Sequence, residues 1–344
     1  MSNEYNPSLS PQSYLITGGC GFIGVNLIDF LLKKEPGVRI KILDNLSTGS
    51  VEALEEVCNP FSSASVELIN GDIRDFEVCL KATEKVGAVV HLAAQSGVPS
   101  SVKDPMYDCA VNITGTLNML EACRKNGVKH FVFASSSAPL GEVEPPVHEK
   151  KLPQPISPYG VSKLAGEAYC RAYCKTFGLG TVALRFGNVY GPRSGHKSSV
   201  VAKFFKRAFE GEPLEIYGDG TQTRDFIYVQ DLCDAIYLSL KSLDQSSGFN
   251  TAGELFQIAT HRETTVNEIA EKIKEIVEKS MGKKVDIIYS SPRPGDMLRN
   301  YSDISKAREL LGWSPRYDLD TGLKETFGYF VNKFMNCNNK QDEQ

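Results

Sequence analysis

Short apolar runs alternate with amphipathic segments along the first half of the chain. The apolar runs predict strands at Tyr14–Thr17, Arg39–Leu43, Val66–Asn70, Ala88–Leu92, His130–Ala134 and Thr181–Arg185. Helical spacing and capping residues predict helices at Gly21–Lys34, Asn112–Asn126 and Tyr159–Phe177. Such alternation is typical of an α/β fold with a doubly wound parallel sheet, whose ligands bind at the carboxyl ends of the strands.

The pattern changes after about residue 188. Loops rich in glycine, proline and charge there separate helices predicted at Ser199–Glu210, Val266–Met281 and Ile304–Leu311. We therefore expect the doubly wound domain at 13–187, with a return segment near 225–256. A smaller, mostly C-terminal α/β region for substrate follows at 188–330. Residues 1–12 are expected to be a flexible arm, and 331–344 a polar tail.

Composition narrows the classes of protein. The net charge of the 344 residues is −4, with 38 basic and 42 acidic side chains well mixed, which gives no basis for binding nucleic acid or an anionic membrane. No apolar run has the length of a membrane span, and the first residues do not resemble a signal peptide. The nine cysteines include no Cys-x-x-Cys pair, so neither a metal site nor a disulfide framework is predicted. These features favour a cytoplasmic protein.

A glycine-rich turn follows the first predicted strand. Gly18, Gly19, Gly21 and Gly24 open the first helix, and Asp44 ends the next strand twenty residues after Gly24. Glycines at this spacing let backbone N–H groups approach a pyrophosphate at the positive end of the helix. An acid at the end of the second strand binds ribose hydroxyls and repels a 2′-phosphate. The sequence therefore predicts a Rossmann domain that binds NAD rather than NADP.

Tyr159 and Lys163 lie four residues apart at the start of a predicted helix, so both side chains share one face. A free tyrosine has a pKa near ~10, and an adjacent ammonium favours the phenolate. Tyr159 is thus a candidate base for a substrate hydroxyl. The serines at 135–137 end a predicted strand, where one hydroxyl can share that proton.

Eight motifs in chain order resemble the extended short-chain dehydrogenase/reductase family, specifically its NAD-dependent nucleotide-sugar epimerases and dehydratases. They cover about residues 13 to 330 and are Gly18–Gly24, Asp44–Leu46, Gly71–Arg74, His91–Ala94, Ser135–Ser137, Tyr159 with Lys163, Arg185–Gly191 and Gly218–Asp225. Among these enzymes, UDP-glucose and UDP-N-acetylglucosamine 4-epimerases are the most similar.

The resemblance implies roles for individual residues. The implied catalytic residues are Ser136, Tyr159 and Lys163, with Ser137 as a second candidate serine. The implied NAD-binding residues are Gly18, Gly21, Phe22, Ile23, Gly24, Asp44, Asn45, Thr48, Gly49, Asp72, Ile73, Leu92, Ala93, Ala94, Tyr159, Lys163 and Phe186. The implied substrate-binding residues are Ser96, Ser136, Ser137, Tyr159, Asn188, Ser199, Val200, Tyr217, Arg224, Arg293, Asp296 and Asn300.

The residues after Ser136 bear on the reaction. Family dehydratases carry an Asp-Glu pair there and decarboxylases a Glu, whereas this chain has Ser137 and Ala138. Oxidation at one carbinol carbon followed by hydride return, which is epimerisation at C4, needs neither carboxylate. The alternatives are a UDP-glucuronate epimerase or decarboxylase, a dehydratase or a keto-sugar reductase. A non-catalytic NAD-sensing protein is also possible on this fold, although such proteins usually lack the Tyr or the Lys.

Three positions bear on the sugar. Pro139-Leu140 replaces the usual Val-Tyr before Gly141, and Gly195 stands where uronate-specific relatives carry an arginine, beside His196 and Lys197. Asn300 corresponds to the residue that faces the C2 substituent, and it leaves room for an acetamido group. The resemblance thus favours UDP-GlcNAc and UDP-GalNAc, with UDP-glucose and UDP-galactose as further substrates. It also implies a homodimer formed through the helices at 112–126 and 159–177.

Overall fold

A computed structural model describes residues 13–61, 65–244, 251–292 and 298–341 of the chain. The chain divides into two compact units. The first unit consists of Met1–Ser135, Ser157–Ala183 and Ser239–Glu254. The second unit consists of Ser136–Ile156, Leu184–Leu238 and Leu255–Gln344. Residues 136–156 thus group with the later part of the chain, and 239–254 with the earlier part.

The strands confirm the predicted α/β class. They are β1 (Ser13–Thr17), β2 (Arg39–Asp44), β3 (Ser65–Asn70), β4 (Ala88–His91), β5 (His130–Ser136), β6 (Gly180–Phe186), β7 (Asn188–Tyr190), β8 (Leu214–Tyr217), β9 (Thr223–Arg224), β10 (Phe226–Tyr228), β11 (Glu254–Ile258), β12 (Thr264–Thr265) and β13 (Ile287–Ser290). A seven-stranded sheet has the order β11-β6-β5-β4-β1-β2-β3. Strands β1 to β5 pair in parallel, and the order reverses at β1, where the topology predicts a ligand site.

The helices are α1 (Phe22–Lys34), α2 (Val51–Cys58), α3 (Phe76–Thr83), α4 (Val98–Lys103), α5 (Pro105–Cys109), α6 (Gly115–Lys125), α7 (Pro158–Phe177), α8 (Val200–Glu210), α9 (Val229–Ser242), α10 (Val266–Met281), α11 (Ser305–Leu311) and α12 (Leu319–Gln341). A π-helical turn at Ala110–Thr114 precedes α6, and a 3₁₀ turn lies at Ala138–Leu140. None of the helices in the described residues is both long and apolar enough to cross a membrane.

Strand β1 and helix α1 pack through apolar side chains that are completely buried. The β1 residues Leu15 and Ile16 and the α1 residues Leu27, Ile28 and Leu31 are completely buried. The β1 residues point alternately to the two faces of a sheet that is covered on both sides, so the strand is a continuous apolar run. The apolar residues of α1 recur at helical spacing and pack onto this sheet.

Two segments, one predicted as a helix and one as a tail, differ from their observed structure. The helix predicted over 112–126 begins in a π-helical turn, in which the buried side chain of Asn112 bonds to Gln95 and to Asp108. The chain end predicted as a polar tail after 330 is helical through Gln341, as the continuation of α12. Its helical repeat begins in apolar positions such as Leu323 and Phe330, which are buried.

Short strand pairs organise the second unit. Strand β7 pairs with β10 in parallel, β8 with β13 in parallel, and β9 with β12 antiparallel. Helix α8 contributes the buried residues Phe204 and Phe205 to the core of this unit. The pairs bring residues 188, 217 and 224 to strand ends within one compact unit.

Candidate active site

The glycine turn between β1 and α1 has no room for side chains at two positions. Gly18 has φ +68°, and a Cβ there would lie 2.8 Å from the backbone nitrogen of Ala93. A Cβ on Gly24 would lie 2.5 Å from both the Gly18 carbonyl oxygen and the Gly19 Cα. The turn is therefore fixed by close backbone approach. This is the geometry that exposes main-chain N–H groups to a phosphate.

The N-terminus of α1 is suited to an anion. Gly21 is its N-cap, and in the described part of the chain no side chain bonds to the first-turn N–H groups. Helix N-termini carry unsatisfied donors and a partial positive charge. The residues present thus fit the pyrophosphate of a dinucleotide.

Asp44 lies at the end of β2 beside this turn and is nearly buried. One carboxylate oxygen accepts the Cys20 N–H at 2.9 Å, and the other accepts the Leu46 N–H at 2.8 Å. These bonds fix the carboxylate orientation and leave lone pairs on both oxygens. The arrangement fits a carboxylate that accepts hydrogen bonds from ribose hydroxyls.

Asp72, one of the implied NAD-binding residues, is part of an ordered polar group after the end of β3. Arg74 donates from two nitrogens to its carboxylate at 2.9 and 2.8 Å, and Asn45 donates at 3.0 Å. The hydrogen bond from Arg74 is the largest cause that lowers the pKa of Asp72 to about 2. Arg74 also lies over the Tyr107 ring at 4.9 Å. Asp72 is therefore an oriented anion at neutral pH.

The other implied NAD-binding residues of the first unit surround this turn. Leu92 and Ala93 donate their N–H groups to the carbonyl and the hydroxyl of Thr17, at 3.1 and 3.2 Å. Phe22 and Ile73 are buried, Ile23, Gly49 and Ala94 are half-buried, and Thr48 is exposed. Phe186, at the end of β6, is a buried residue of the second unit.

Helix α7 begins at the predicted catalytic motif. The Ser157 hydroxyl accepts the Gly160 N–H at 3.1 Å as the N-cap, and Pro158 occupies the first helical position. Tyr159 and Lys163 follow on one face, with the Lys163 Nζ 5.8 Å from the centre of the Tyr159 ring. Tyr159 is half-buried and Lys163 is only 4% exposed. The structure thus brings the predicted acid–base pair together.

Lys163 is held by the strand beside it. Its Nζ donates to the Ala134 carbonyl on β5 at 2.8 Å and lies 5.0 Å from the centre of the Phe133 ring. Burial lowers the pKa of Lys163 to about 8, against the opposing effect of the nearby carboxylates of Asp108 and Glu167. Below that pH the ammonium is charged. It can then stabilise negative charge on the Tyr159 oxygen.

In the second unit, Ser136 and Ser137 lead into the 3₁₀ turn. The Ser136 hydroxyl accepts the Ala138 N–H at 3.1 Å, and the Ser137 hydroxyl accepts from the Asn300 amide at 3.2 Å. Pro139 and Leu140 are both buried, with Leu140 only 1% exposed. The unusual Pro-Leu pair is therefore a packing element of this turn.

Other implied substrate residues of the second unit lie at element ends. Asn188 is exposed at the start of β7, and Val200 begins α8. The Ser199 Oγ, at the N-cap of α8, is buried without a hydrogen-bond partner among the described residues. Arg224, on β9, donates to the Thr223 carbonyl at 2.7 Å. A buried donor at a helix N-terminus suits an anionic or polar ligand.

Tyr217 ends β8 in a network of hydrogen bonds. Its hydroxyl donates to Glu215 at 2.9 Å, and the Lys203 Nζ lies 3.2 Å from that hydroxyl and 4.8 Å from the ring centre. Ser290 also donates to Glu215, at 3.0 Å. These contacts hold the Tyr217 ring in one orientation.

Two of the implied substrate residues, Arg293 and Asp296, lie outside the described residues. Ser96 belongs to the first unit, where it is exposed and its carbonyl accepts from Ser100 at 3.0 Å. The structure therefore groups the implied ligands by unit. The implied NAD-binding residues, together with Tyr159 and Lys163, lie mainly in the first unit, and the implied substrate-binding residues lie mainly in the second.

Comparison with known proteins identifies the family. Residues 15–326 match the family described as GDP-mannose 4,6 dehydratase. The chain is 36% identical to the UDP-glucose 4-epimerase of Mycolicibacterium smegmatis over 93% of this chain and 98% of that one. It is 35% identical to the UDP-glucuronate 4-epimerase of Thermodesulfobacterium geofontis over 92% and 95% of the two chains.

Two solved structures are also similar. The UDP-N-acetylglucosamine 4-epimerase of Methanobrevibacter ruminantium, in complex with UDP-N-acetylmuramic acid, has TM-score 0.84 and 33% identity over 94% of this chain and 100% of that one. The UDP-glucose 4-epimerase of Thermus thermophilus, in complex with NAD, has TM-score 0.80 and 36% identity over 93% and 99% of the chains. This chain belongs to the extended short-chain dehydrogenase/reductase family.

Membership in that family confirms the resemblance found in the sequence, together with the predicted fold class, the enzyme class and the cofactor. The protein is an NAD-dependent enzyme of the epimerase kind, an isomerase. Three features of this extended short-chain dehydrogenase/reductase fit NAD. They are the glycine turn between β1 and α1, the N-terminus of α1, and the carboxylate of Asp44, which is held in one orientation.

Sequence reasoning missed a buried polar chain beneath the glycine turn of this family member. The two ring nitrogens of His91 lie 2.8 Å from the Thr17 hydroxyl and 3.1 Å from the Thr116 hydroxyl. Burial lowers the pKa of His91 to about 3, so the imidazole is neutral. A histidine within an apolar strand was a signal, but its partners lie 74 and 25 residues away in the sequence.

Proposed function

We propose that this protein interconverts the C4 epimers of a UDP-hexose, with UDP-GlcNAc and UDP-GalNAc as its preferred pair. The observation that carries the proposal is the Tyr159–Lys163 pair at the start of α7, with a buried ammonium beside the phenol. This pair supplies acid–base chemistry at a carbinol. The similarity to several sugar-nucleotide 4-epimerases supports C4 as the carbon involved.

Tyr159 would remove the proton of the C4 hydroxyl and later return it to the C4 oxygen. Because Lys163 is charged below pH about 8, its ammonium stabilises negative charge that develops on the Tyr159 oxygen at neutral pH. Bound NAD supplies the hydride acceptor and, later, the hydride donor. The acid and the base of the reaction are one residue, so protons balance within each turnover.

The two residues after Ser136 support epimerisation over elimination. Ser137 and Ala138 stand where dehydratases and decarboxylases carry carboxylates, and the Ser137 hydroxyl is bonded to Asn300. Loss of water across C5 and C6 needs a base at C5 and an acid at C6. Neither residue supplies one.

Asn300 supports the N-acetyl sugars. Its side chain is small, is 9% exposed and is oriented by the 3.2 Å bond to Ser137. An amide can both donate to and accept from an acetamido group, whereas a tyrosine would fill the space. We therefore propose Asn300 as the residue that admits the C2 substituent.

The proposal is tested by incubating the purified protein separately with UDP-GlcNAc, UDP-glucose and UDP-glucuronate. Products are separated by anion-exchange chromatography, and mass is measured for each. We expect the C4 epimer of UDP-GlcNAc at unchanged mass and at the highest rate. A faster reaction of UDP-glucuronate would make the uronate the preferred substrate, with His196 and Lys197 as candidate contacts for its carboxylate. A product of lower mass would indicate a dehydratase or a decarboxylase instead.

Replacing Asn300 tests the sugar assignment at one residue. In Asn300→Tyr, kcat/KM for UDP-GlcNAc relative to UDP-glucose should fall at least about tenfold, because the phenol fills the space for the acetamido group. Steady-state kinetics with both substrates measure this ratio. Asn300→Ser is the matched control, since it removes the amide but keeps the space, and it should retain the UDP-GlcNAc reaction. An unchanged ratio in Asn300→Tyr would contradict the assignment.

We also propose that the enzyme is a homodimer formed through α6 and α7, as the family resemblance implies. Exposed apolar side chains of the first unit near α7 support this: Val98, Val102, Met106 and Val161 are 43%, 61%, 80% and 49% exposed. Light scattering should give twice the chain mass at micromolar concentration. A single-chain mass across the concentration range would refute the dimer.

A further inference from the structure

A buried carboxylate lies below the catalytic helix in the first unit. Asp108, on α5, has no exposed surface. The Ser162 hydroxyl approaches its two oxygens at 3.2 and 3.0 Å, and the Asn112 amide at 2.9 and 3.1 Å. Since an amide NH₂ can only donate, the carboxylate accepts from it. An anion buried this completely is retained only where its surroundings compensate its charge.

Asn112 connects this carboxylate to residues 92–95, the loop after β4, which is called the NAD-binding loop below. Its amide oxygen accepts the Gln95 N–H at 2.8 Å, and its amide nitrogen donates to the Gln95 carbonyl at 3.0 Å. Gln95 directly follows the implied NAD contacts Leu92–Ala94. Asn112 lies in the π-helical turn, and such turns are frequent at functional sites. The π-helical turn therefore places one amide between Gln95 and Asp108.

Ser162 connects the same carboxylate to α7, because it lies between Tyr159 and Lys163. Its hydroxyl also lies 3.0 Å from the Tyr159 carbonyl. The carboxylate of Asp108 thus contacts the helical turn that carries Tyr159 and Lys163, through the hydroxyl of Ser162.

The charged and titratable groups that act on Lys163 come from three elements. They are Asp108 on α5, Glu167 and Cys170 on α7, and the neutral His91 on β4. Asp108 is the largest of the influences that raise the pKa of Lys163 against burial. The Glu167 carboxylate is bonded to the Ser135 hydroxyl at 2.5 Å.

We propose that Asp108 is a positioning residue of the catalytic helix, whose buried negative charge keeps Lys163 protonated while its hydrogen bonds to Ser162 and Asn112 hold α7 against the NAD-binding loop. This role rests on the proposed function, in which protonated Lys163 lowers the cost of the Tyr159 phenolate. It assigns to α5, an element outside the recognised motifs, control over the alkaline limit of activity.

The first test needs no substrate: the melting temperature of the NAD-bound protein is measured against pH for the parent and Asp108→Asn. Folding lowers the pKa of Lys163 from 10.5 to about 8, so stability from this group rises as pH increases through that interval. Without the Asp108 charge, the folded-state pKa falls further. The variant should therefore be least stable relative to the parent near neutral pH, and the difference should narrow above pH 8, where Lys163 is neutral in both.

Ser162→Ala is the matched control, since it removes one hydrogen bond and leaves the Asp108 charge in place. Its difference from the parent should stay constant over the same pH range. Asp108→Glu keeps the charge and serves if Asp108→Asn does not fold. In that variant the pH dependence should follow the parent. A pH-independent difference for Asp108→Asn, or a changed pH dependence for Asp108→Glu, would overturn the proposal.

The second test is the pH profile of kcat for C4 epimerisation. In Asp108→Asn the alkaline limb should move to lower pH by at least about half a unit, while Ser162→Ala lowers kcat and leaves the limb in place. An unmoved limb in folded Asp108→Asn would refute the role of the charge. Absence of epimerisation by the parent would instead refute the proposed function, and the melting measurement would still decide the role of Asp108.

Discussion

Tyr159→Phe is expected to lower kcat for C4 epimerisation about 10³-fold, because it removes the proposed proton acceptor of the reaction and leaves the ring in place. The ring of the variant still lies beside the Lys163 ammonium, 5.8 Å from it in the parent. The content of bound NAD and the melting temperature should therefore change little. Turnover is measured by chromatography, and NAD content by the absorbance of the denatured protein.

Tyr173→Phe is the matched control for this prediction. Tyr173 is another tyrosine of α7, and its hydroxyl donates to Glu121 at 3.1 Å. Its removal should leave kcat within about twofold of the parent. Activity of Tyr159→Phe within tenfold of the parent would show that another group takes the proton.

Gly24→Ala is expected to have the second-largest effect, on the binding of NAD and on folding together. The new Cβ would lie 2.5 Å from the Gly18 carbonyl oxygen and from the Gly19 Cα. Both are backbone atoms of the glycine turn, so the turn must move away from α1. We expect a loss of about 3 kcal/mol in the free energy of unfolding, as for an overpacked core, and protein purified without NAD.

Gly328→Ala provides the comparison, because Gly328 is a glycine of helix α12 whose added Cβ would meet no atom within 4 Å. It should raise the free energy of unfolding by about 0.5 to 1 kcal/mol through helix propensity and leave NAD content unchanged. Denaturant titration and cofactor analysis measure both effects. Full NAD content in Gly24→Ala would contradict the role given to the turn.

The glycine turn could be predicted because its constraints are local. Gly18, Gly21 and Gly24 lie within seven positions, and strand, turn and helix follow each other directly in the chain. The four-residue spacing of Tyr159 and Lys163 is likewise a property of one helix. The geometry of such motifs can be predicted because it depends only on residues that are close together in the sequence.

The buried polar groups around His91 and Asp108 could not be predicted because their hydrogen bonds are long-range. Ser162 and Asp108 are 54 residues apart, and Thr17 and His91 are 74 apart. Acidic residues are ordinarily exposed to solvent, and only packing shows that Asp108 is buried. The π-helical turn at Ala110–Thr114 contains Asn112, which also bonds to Gln95, and helix spacing alone predicted a regular helix there.

The end of the chain illustrates a different limit. Polar composition after residue 331 predicted a tail, yet α12 continues to Gln341. A helix anchored by buried residues such as Leu323 and Phe330 can extend into a polar segment, because propagation costs far less than nucleation.

The central claim is that the enzyme inverts the configuration at C4 of the sugar and removes no atoms from it. The most direct measurement is proton NMR and mass spectrometry of UDP-GlcNAc incubated with the enzyme in D₂O, without added NAD. The account predicts UDP-GalNAc that carries hydrogen, not deuterium, at C4, because the hydrogen removed from C4 returns to it without meeting solvent. Deuterium at C4, or a product that has lost water, would contradict it.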